Sequence, residues 1–274
     1  MLAGGTWGMR LWRIHARRRS RAFEQRPQRK VHHELVAELA PGKSFVDIGG
    51  IWGIHGDIAF RAERAGATRA VVVDGMDPVE EFQTEHRERG SSVEYVQGDL
   101  HDPVIVDQLG AFDVVWCSGV IYHSPNPYLQ IEHLRRLCSE RLMVSSRVIP
   151  ELPGFEGACL WYPGVSSAAQ RELTKLHEGF GAQGLLGPCA PLDETPGMGY
   201  ANTWWGITVS ALTRMLAAAR FEVERVIRYG PVMVDILARP VDRESMIPPP
   251  GFSRERGQRR RDQWEGERPA WLGD

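Results

Sequence analysis

The chain has 274 residues and a formal net charge of −2, with 42% hydrophobic and 25% charged residues. This composition supports a substantial buried core and one main domain. No apolar run approaches the roughly 20 residues that cross a bilayer, and no apolar signal segment precedes a cleavage site, so we expect a cytoplasmic enzyme without membrane contact.

Cysteine usage predicts reduced thiols and no metal site. The cysteines are too far apart for a Cys-x-x-Cys metal clamp and too few for a disulfide-stapled secreted protein: Cys117, Cys138, Cys159 and Cys189. Cys117 ends an apolar strand, where a small thiol is more often a buried core residue than a nucleophile.

Basic residues gather at both ends of the chain, in an amino-terminal segment over residues 1–30 and in a polar tail over residues 241–274 that we expect to be flexible. Residues 31–240 form the predicted main domain. Basic clusters neutralise phosphates in nucleic-acid-binding proteins, but such runs are more commonly solvated helix faces or tails. We therefore expect a small-molecule substrate rather than a nucleic acid, and the sequence leaves the oligomeric state undetermined.

The predicted elements begin with an amphipathic helix over residues 31–39, which Pro41 and Gly42 end. Apolar strands are predicted over residues 44–48, 69–73, 93–96, 112–117 and 142–146. They alternate with predicted helices over residues 58–65, 80–89 and 128–137. This alternation predicts an α/β fold with a parallel sheet that helices cover on both faces.

Residues 149–203 interrupt this alternation with prolines and glycines that surround aromatic residues. Because long loops commonly carry function, we expect this segment to be an inserted cap over the substrate. A helix over residues 209–219 and two closing strands over residues 221–228 and 232–239 complete the predicted domain.

Glycines and acids follow the ends of the predicted strands. The first strand runs into a glycine-rich turn from Gly49 to Gly56, and the second ends at Asp74. Glycine lets the backbone approach a ligand and adopt positive φ, and the following helix presents free N–H groups. An acid in the position of Asp74 holds ribose hydroxyls in nucleotide-binding folds. Further polar groups follow the third and fourth strands, so a nucleotide-like cofactor is expected at this edge of the sheet.

Four ordered motifs resemble those of the class I S-adenosylmethionine-dependent methyltransferases: Val46-Asp47-Ile48-Gly49, Val73-Asp74, Gly98-Asp99-Leu100 and Phe112-Asp113-Val114-Val115. The resemblance covers roughly residues 31–239. It implies a Rossmann-like fold with a mostly parallel seven-stranded sheet, and S-adenosylmethionine as the cofactor. Residues 119–127 look most like the branch that contains the bacterial tRNA wobble-uridine carboxymethyltransferase.

The resemblance also implies a set of cofactor-binding residues: Asp47, Gly49, Gly50, Gly53, Asp74, Gly75, Met76, Asp99, Leu100, Ser118 and Gly119. The glycines of the turn would line the methionine part, and Asp47 would hold the turn or the cofactor's amino group. Asp74 would accept both ribose hydroxyls in charge-assisted hydrogen bonds. Asp99 would bind the adenine amino group, with Leu100 packed beside it.

The glycine-rich turn departs from the family pattern. Ile51 stands where the middle glycine is expected, and Trp52 follows it, so the turn must hold two bulky side chains. The spacing does not form the Gly-x-Gly-x-x-Gly of dinucleotide-binding proteins, which weakens that alternative. A purely structural connection between strand and helix is a further alternative, but the acids downstream favour a modified cofactor loop.

A second departure concerns residues 200–208. In the carboxymethyltransferases, this segment brings an arginine toward an extra carboxylate on the cofactor, but no arginine lies between Tyr200 and Thr213. Because an unpaired buried carboxylate is costly, we expect ordinary S-adenosylmethionine rather than a carboxylated cofactor.

Methyl transfer requires a nucleophile aligned with the sulfonium carbon and, in many cases, removal of its proton. His123 is the candidate base because imidazole changes protonation near neutral pH, although a purely structural role is an equal alternative. Tyr122, Tyr200 and Asn202 are candidates to orient the acceptor. Three tryptophans are candidates to enclose a planar substrate or the sulfonium, with a core role as the alternative: Trp161, Trp204 and Trp205.

The predicted function is methyl transfer from S-adenosylmethionine to a small-molecule acceptor in secondary metabolism. Two enzymatic alternatives use the same cofactor: intramolecular displacement that releases methylthioadenosine, and methylation of tRNA. Cofactor binding without catalysis is a third alternative. The sequence does not distinguish O-, N- and C-methylation.

Overall fold

The strands of the protein form two sheets in a computed structural model that describes residues 26–166, 168–169, 171–172, 175 and 203–242. In chain order the strands are β1 (Ser44–Ile48), β2 (Arg69–Asp74), β3 (Glu94–Gln97), β4 (Phe112–Ser118), β5 (Cys138–Arg147), β6 (Cys159–Trp161), β7 (Trp205–Ile207), β8 (Phe221–Arg228) and β9 (Met233–Pro240). The main sheet has seven strands in the order β3-β2-β1-β4-β5-β9-β8. Strands β1 to β5 are parallel, and β9 is antiparallel to both β5 and β8.

Helices cover both faces of this sheet. They are α1 (Gln28–Leu39), α2 (Asp57–Arg64), α3 (Glu80–Arg89), α4 (Pro103–Leu109), α5 (Pro127–Leu137) and α6 (Val209–Ala218). Apolar residues of α1 and α2 pack with Phe45, Trp116 and Met143 on one face. The apolar sides of α4, α5 and α6 pack on the other face. The structure therefore confirms the predicted class I methyltransferase fold, a mostly parallel seven-stranded sheet between two helical layers.

Most predicted elements lie within a few residues of the observed ones, but α4 was not predicted. This helix has only seven residues, too few for a clear apolar period. Its start was nevertheless encoded in the sequence. The Asp102 side chain accepts a hydrogen bond from the Val104 N–H, and Pro103 occupies the first turn, as is common at helix starts.

The predicted cap is described only in part. Strands β6 and β7 form a small antiparallel sheet in which Cys159 pairs with Ile207 and Trp161 pairs with Trp205. Tyr200 and Asn202 lie outside the described residues. The same holds for most of the basic amino-terminal segment and nearly all of the polar tail, so their predicted boundaries stay predictions.

Within the described part of the chain, no helix has the length and apolarity required to cross a membrane.

Candidate active site

A cavity of about 980 Å³ opens where the carboxyl ends of β1, β2, β4 and β5 meet the first turn of α1. Its volume is near the upper end for small-molecule sites, which allows it to hold two small ligands side by side. We call the part lined by Gly49, Gly53, Asp74 and Met76 the glycine end. We call the part lined by Gln28, His32, Ser145 and Arg147 the histidine end.

The turn after β1 has the left-handed backbone that its glycines predicted. Gly49 has φ of 75° and Gly53 has φ of 71°. A Cβ on Gly49 would lie 2.4 Å from Val120 Cγ2, so the turn and the segment after β4 are in direct contact. Ile51 is fully buried, whereas Trp52 is 68% exposed and lines the cavity. The fold therefore accommodates both bulky residues by directing one into the core and the other outward.

Asp74 holds this turn in place. Its Oδ2 accepts a hydrogen bond from the Ile51 N–H at 3.0 Å, and its Oδ1 accepts one from the Met76 N–H at 3.0 Å. A carboxylate has about four acceptor positions, so Asp74 keeps capacity for two ligand hydroxyls. The predicted ribose role fits this geometry and stays a prediction.

Asp47 lies beneath the turn and is completely buried. Neither of its carboxyl oxygens has a hydrogen-bond partner among the described residues. Burial raises the pKa of Asp47 to about 8, with the neighbouring Asp74 and Asp57 carboxylates adding to the effect. A Cβ on Gly50 would lie 2.4 Å from Asp47 Oδ2, so Gly50 allows the turn to close over this carboxyl. The structure places both residues below the cavity wall rather than on it.

Asp99 and Leu100 stand apart from the described lining of the cavity. Leu100 is buried in the core, and the Asp99 side chain is 71% exposed. Although burial alone raises the pKa of Asp99, hydrogen bonds from the His101 backbone and ring lower it on balance. His101 Nδ1 lies 2.8 Å from Asp99 Oδ1, and its Nε2 lies 2.6 Å from Ser124 Oγ. The predicted adenine contact stays a prediction.

Strand β4 delivers its predicted site residues to the cavity. Ser118, Gly119, Tyr122 and His123 all line it. Tyr122 is buried, and its ring centroid lies 4.2 Å from that of His123. Gly75, by contrast, is not among the described lining residues, and a Cβ on it would meet no atom within 4 Å.

Sequence reasoning missed Arg147, at the carboxyl end of β5. It is buried, lines the histidine end and hydrogen-bonds to Tyr122. Burial raises the pKa of the Tyr122 hydroxyl, while the Arg147 charge and hydrogen bond oppose the shift. No arginine lies at residues 200–213, as the sequence analysis noted, but β5 supplies a different arginine to this cavity. The predicted fifth strand ended at Ser146, so Arg147, the next residue, was not considered as a residue at a strand end.

A polar cluster joins α1 to β5, to β9 and to Tyr229, which follows β8, at the histidine end. Gln28 Nε2 donates to Ser145 Oγ and to Asp235 Oδ1, both at 2.8 Å. His32 Nε2 and the Tyr229 hydroxyl approach Asp235 Oδ2 at 2.9 Å and 2.8 Å. The residues of α1 lie more than 100 positions from their partners in this cluster, so no local sequence motif predicts the contacts.

The tryptophans predicted to enclose the substrate lie elsewhere in the described structure. Trp161 is 44% exposed, and Trp205 packs against the core and donates its Nε1–H to the Pro125 carbonyl oxygen at 3.1 Å. Trp204 donates its backbone N–H to the Tyr122 carbonyl oxygen at 2.9 Å. None of the three is among the described residues that line the cavity. The observed packing of Trp205 fits the core alternative.

The described cysteines are free thiols. Burial raises the pKa of Cys117 far above its ordinary value, and it raises that of Cys138 to about 12. Neither is therefore a reactive thiolate near neutral pH. The described residues include no cluster of three or more His, Cys, Asp or Glu side chains suited to a metal ion.

Residues 52–141 match a family model described as a methyltransferase domain. This match begins inside the glycine-rich turn and ends in β5, so it includes Asp74 and Ser118. A search of the curated proteins gave no match.

Solved structures share the fold at low sequence identity. The N-terminal domain of EvdMO1, solved with SAH bound, is 17% identical with a TM-score of 0.51, over 81% of this chain and 83% of that chain. The 1,6-didemethyltoxoflavin-N1-methyltransferase of Burkholderia thailandensis is 16% identical with a TM-score of 0.51, over 78% of each chain. An O-methyltransferase family protein of the same organism is 13% identical with a TM-score of 0.52, over 78% of this chain and 57% of that chain.

The domain match and the fold together define the class of enzyme, an S-adenosylmethionine-dependent methyltransferase. The predicted enzyme class and cofactor are thereby confirmed. The resemblance to the tRNA wobble-uridine branch stays a prediction.

Proposed function

We propose that this enzyme transfers the methyl group of S-adenosylmethionine to a small-molecule acceptor in secondary metabolism. The single observation that supports this most is the cavity of about 980 Å³, which extends without a break from the glycine-rich turn to the polar cluster of α1 and β9. The cofactor would occupy the glycine end, and the acceptor would occupy the histidine end. The toxoflavin-type methyltransferase with the same fold was crystallised with its small-molecule acceptor and SAH bound together.

The residues of the glycine end fit an adenosyl sulfonium. Gly53 leaves open space where a Cβ would project, and Asp74 retains acceptor capacity for ribose hydroxyls. Asp47 adds a buried carboxyl whose oxygens lack partners among the described residues, beside the turn that would hold the cationic methionine part. We assign cofactor binding to Gly49, Gly53 and Asp74, with Asp47 and Gly50 supporting the turn from below.

The bound cofactor supplies a methyl carbon that is already electrophilic. The protein therefore contributes mainly by alignment, by exclusion of water and by management of a proton. The segment from Ser118 to His123 lines the cavity and would position the acceptor against the methyl group. Arg147 and Tyr122 provide fixed polar groups for orienting that acceptor.

Calorimetry and product analysis test the proposal. We expect S-adenosylmethionine and S-adenosylhomocysteine to bind the full chain, and nicotinamide dinucleotides not to bind. Incubation with S-adenosylmethionine and a panel of phenols, amines and carboxylic acids should yield S-adenosylhomocysteine and a methylated acceptor. Methylthioadenosine as the product would instead establish intramolecular displacement.

Two further results would reject the small-molecule proposal. Cofactor binding without turnover across the panel would favour a binding protein. Salt-dependent binding of tRNA well above that of an unrelated protein of similar charge, together with methylation of the tRNA, would favour RNA modification.

A further inference from the structure

The histidine end of the cavity contains a buried histidine–aspartate pair contributed by distant parts of the chain. His32 lies in the first turns of α1, and Asp235 lies in β9. The His32 Nε2 atom is 2.9 Å from Asp235 Oδ2. Asp235 is fully buried, whereas the His32 side chain remains 11% exposed. His32 is one of the residues that line the cavity.

The carboxylate of this pair is held by three groups. Gln28 Nε2 donates to Asp235 Oδ1 at 2.8 Å, and the Tyr229 hydroxyl donates to Asp235 Oδ2 at 2.8 Å. His32 is the third group. Hydrogen bonds to both oxygens restrict the rotation of this carboxylate. Asp235 is therefore a rigid acceptor for the His32 ring.

This arrangement determines which ring nitrogen of His32 is free. An ionised carboxylate only accepts hydrogen bonds, so Nε2 carries the hydrogen and donates it to Asp235. In the neutral ring, Nδ1 then carries the lone pair. Nδ1 has no hydrogen-bond partner among the described residues, and it is not fully buried. The same relation of carboxylate, tautomer and free nitrogen makes histidine a general base in hydrolytic triads.

The sheet register places Asp235 two strands away from the end of β4. Ser118 of β4 pairs with Ser145 of β5, and Ser145 pairs with Asp235 of β9. With a strand spacing of about 4.8 Å, Asp235 lies about 10 Å from the end of β4. His32 reaches back across this gap, because its ring meets the Trp116 ring of β4 edge-on at a centroid distance of 5.2 Å.

We propose that His32 is the general base of the methyl transfer and that Asp235 is its positioning residue. The acceptor oxygen or nitrogen forms a bond to the methyl carbon while the carbon–sulfur bond breaks and its electron pair passes to sulfur. The acceptor proton moves to His32 Nδ1 and is later released to water. This inference rests on the proposed function, and it assigns to His32 the role that sequence reasoning gave to His123.

A first experiment needs no acceptor. Diethyl pyrocarbonate carbethoxylates accessible imidazole nitrogens that carry a lone pair, and fragmentation of the modified peptide distinguishes His32 from His33. We expect His32 to be modified in the folded, full-length protein saturated with S-adenosylhomocysteine, because that product leaves the histidine end open. Modification would show that Nδ1 of His32 is accessible and carries a lone pair, as the proposed base requires. Absence of modification at His32 while the protein stays folded would overturn the proposal.

A second experiment measures methyl transfer to any panel compound that the parent methylates. General bases contribute about 10²- to 10⁴-fold, so we expect His32→Gln to lower kcat by that factor while leaving the affinity for S-adenosylhomocysteine unchanged. Asp235→Asn should lower kcat by a smaller factor and change KM little. The matched control is His86→Gln, which alters a histidine of α3 that contacts the Val93 carbonyl oxygen and is not among the described residues that line the cavity. We expect the control to retain at least half of the parental kcat.

Rescue separates a base from a structural residue. Free imidazole should restore part of the activity of His32→Ala, whereas a structural defect would not respond. Full kcat in folded His32→Gln, or a loss confined to His123→Gln, would overturn the proposal. If the parent binds S-adenosylmethionine but methylates no panel compound, the proposed function fails, and the carbethoxylation result alone decides whether His32 has a free basic nitrogen.

Discussion

The two ends of the cavity are built in different ways. The glycine end consists of backbone turns whose residues follow one another closely, such as Gly49 to Gly53 and Asp74 to Met76. The histidine end consists of side chains from α1 and β5, and the hydrogen bonds from α1 to Ser145 and Asp235 span 117 to 207 residues of sequence. The proposed cofactor recognition is thus local in the chain, whereas the proposed acceptor chemistry depends on assembly of the whole domain.

The ends also differ in charge. Asp74 gives the glycine end a carboxyl group that suits hydroxyl donors and a cation. The histidine end brings the buried guanidinium of Arg147 together with a paired histidine. An acceptor that carries oxygen or an acidic proton suits such a lining better than a cationic one does.

Asp235→Ala should have the largest effect on stability, and it tests whether the histidine end is held together by a single carboxylate. The change leaves the donors of Gln28, His32 and Tyr229 without their acceptor in a buried site. We expect a loss of about 3 kcal/mol in the free energy of unfolding, measured by urea titration. Asp235→Asn keeps the volume and one acceptor oxygen, so it should lose less. If Asp235→Ala were as stable as the parent, the Asp235 carboxylate would not hold the histidine end together.

Asp74→Ala tests the glycine end through ligand affinity. Removing an acceptor for two ribose hydroxyls, at about 1.5 kcal/mol each, should weaken S-adenosylhomocysteine binding roughly 100-fold in calorimetry. Asp74→Asn is the control, because it keeps one oxygen acceptor and most of the support for the Ile51 N–H. A mutant that binds like the parent would remove Asp74 from the cofactor site.

Gly50→Ala tests how tightly the turn closes over Asp47. The added Cβ would lie 2.4 Å from Asp47 Oδ2 and 3.1 Å from Val72 Cγ1. We expect a loss of about 2 kcal/mol in unfolding free energy from this overpacking. Gly75→Ala meets no atom within 4 Å and should change stability by less than about 0.5 kcal/mol. If the two variants behave alike, the close packing beneath the turn is not as described.

Asp47→Asn should change how stability depends on pH. The ordinary pKa of an aspartate carboxyl is 3.8, but the Asp47 carboxyl stays protonated in the folded protein up to about pH 8. The titratable groups that interact with it are Asp74, Asp57 and Cys117. Between these values the folded state binds a proton that the unfolded state has lost. This stabilisation is complete below the ordinary value and is lost as pH rises toward 8.

The expected slope for this one group is about −1.4 kcal/mol per pH unit. Urea unfolding at pH 6 and pH 7 should therefore show a flatter pH dependence for Asp47→Asn than for the parent. Parallel curves would mean that Asp47 is ionised in the folded protein.

Arg69→Ala measures how much an exposed ion pair at the opposite edge of the sheet contributes to stability. Arg69 makes two hydrogen bonds of 2.8 Å to the Glu94 carboxylate, at the amino ends of β2 and β3. Because the pair is exposed, we expect a loss of less than about 1 kcal/mol in unfolding free energy, and the loss should shrink at high salt. Glu94→Gln is the paired control. If Arg69→Ala lost as much unfolding free energy as Asp235→Ala, the buried polar cluster would be no more important for stability than an exposed ion pair.

The sequence predicted the sheet and the glycine end well because both follow short-range rules. Apolar runs mark the strands, and the residues at strand ends mark the ligand edge. The same rule would have identified Arg147 if the predicted β5 had extended one residue further. It could not have identified the pairing of His32 with Asp235, because the two residues are 203 positions apart and no local pattern links them.

By itself, the sequence determined an α/β methyltransferase with glycines and Asp74 at the edge where we propose that the cofactor binds. Backbone conformation and strand formation depend on neighbouring residues, so local patterns are enough to specify them. Only the tertiary structure decided that Ile51 turns inward, that Arg147 lines the cavity and that His32 meets Asp235. Those outcomes depend on which strands become neighbours and where α1 packs, and distant parts of the chain determine both.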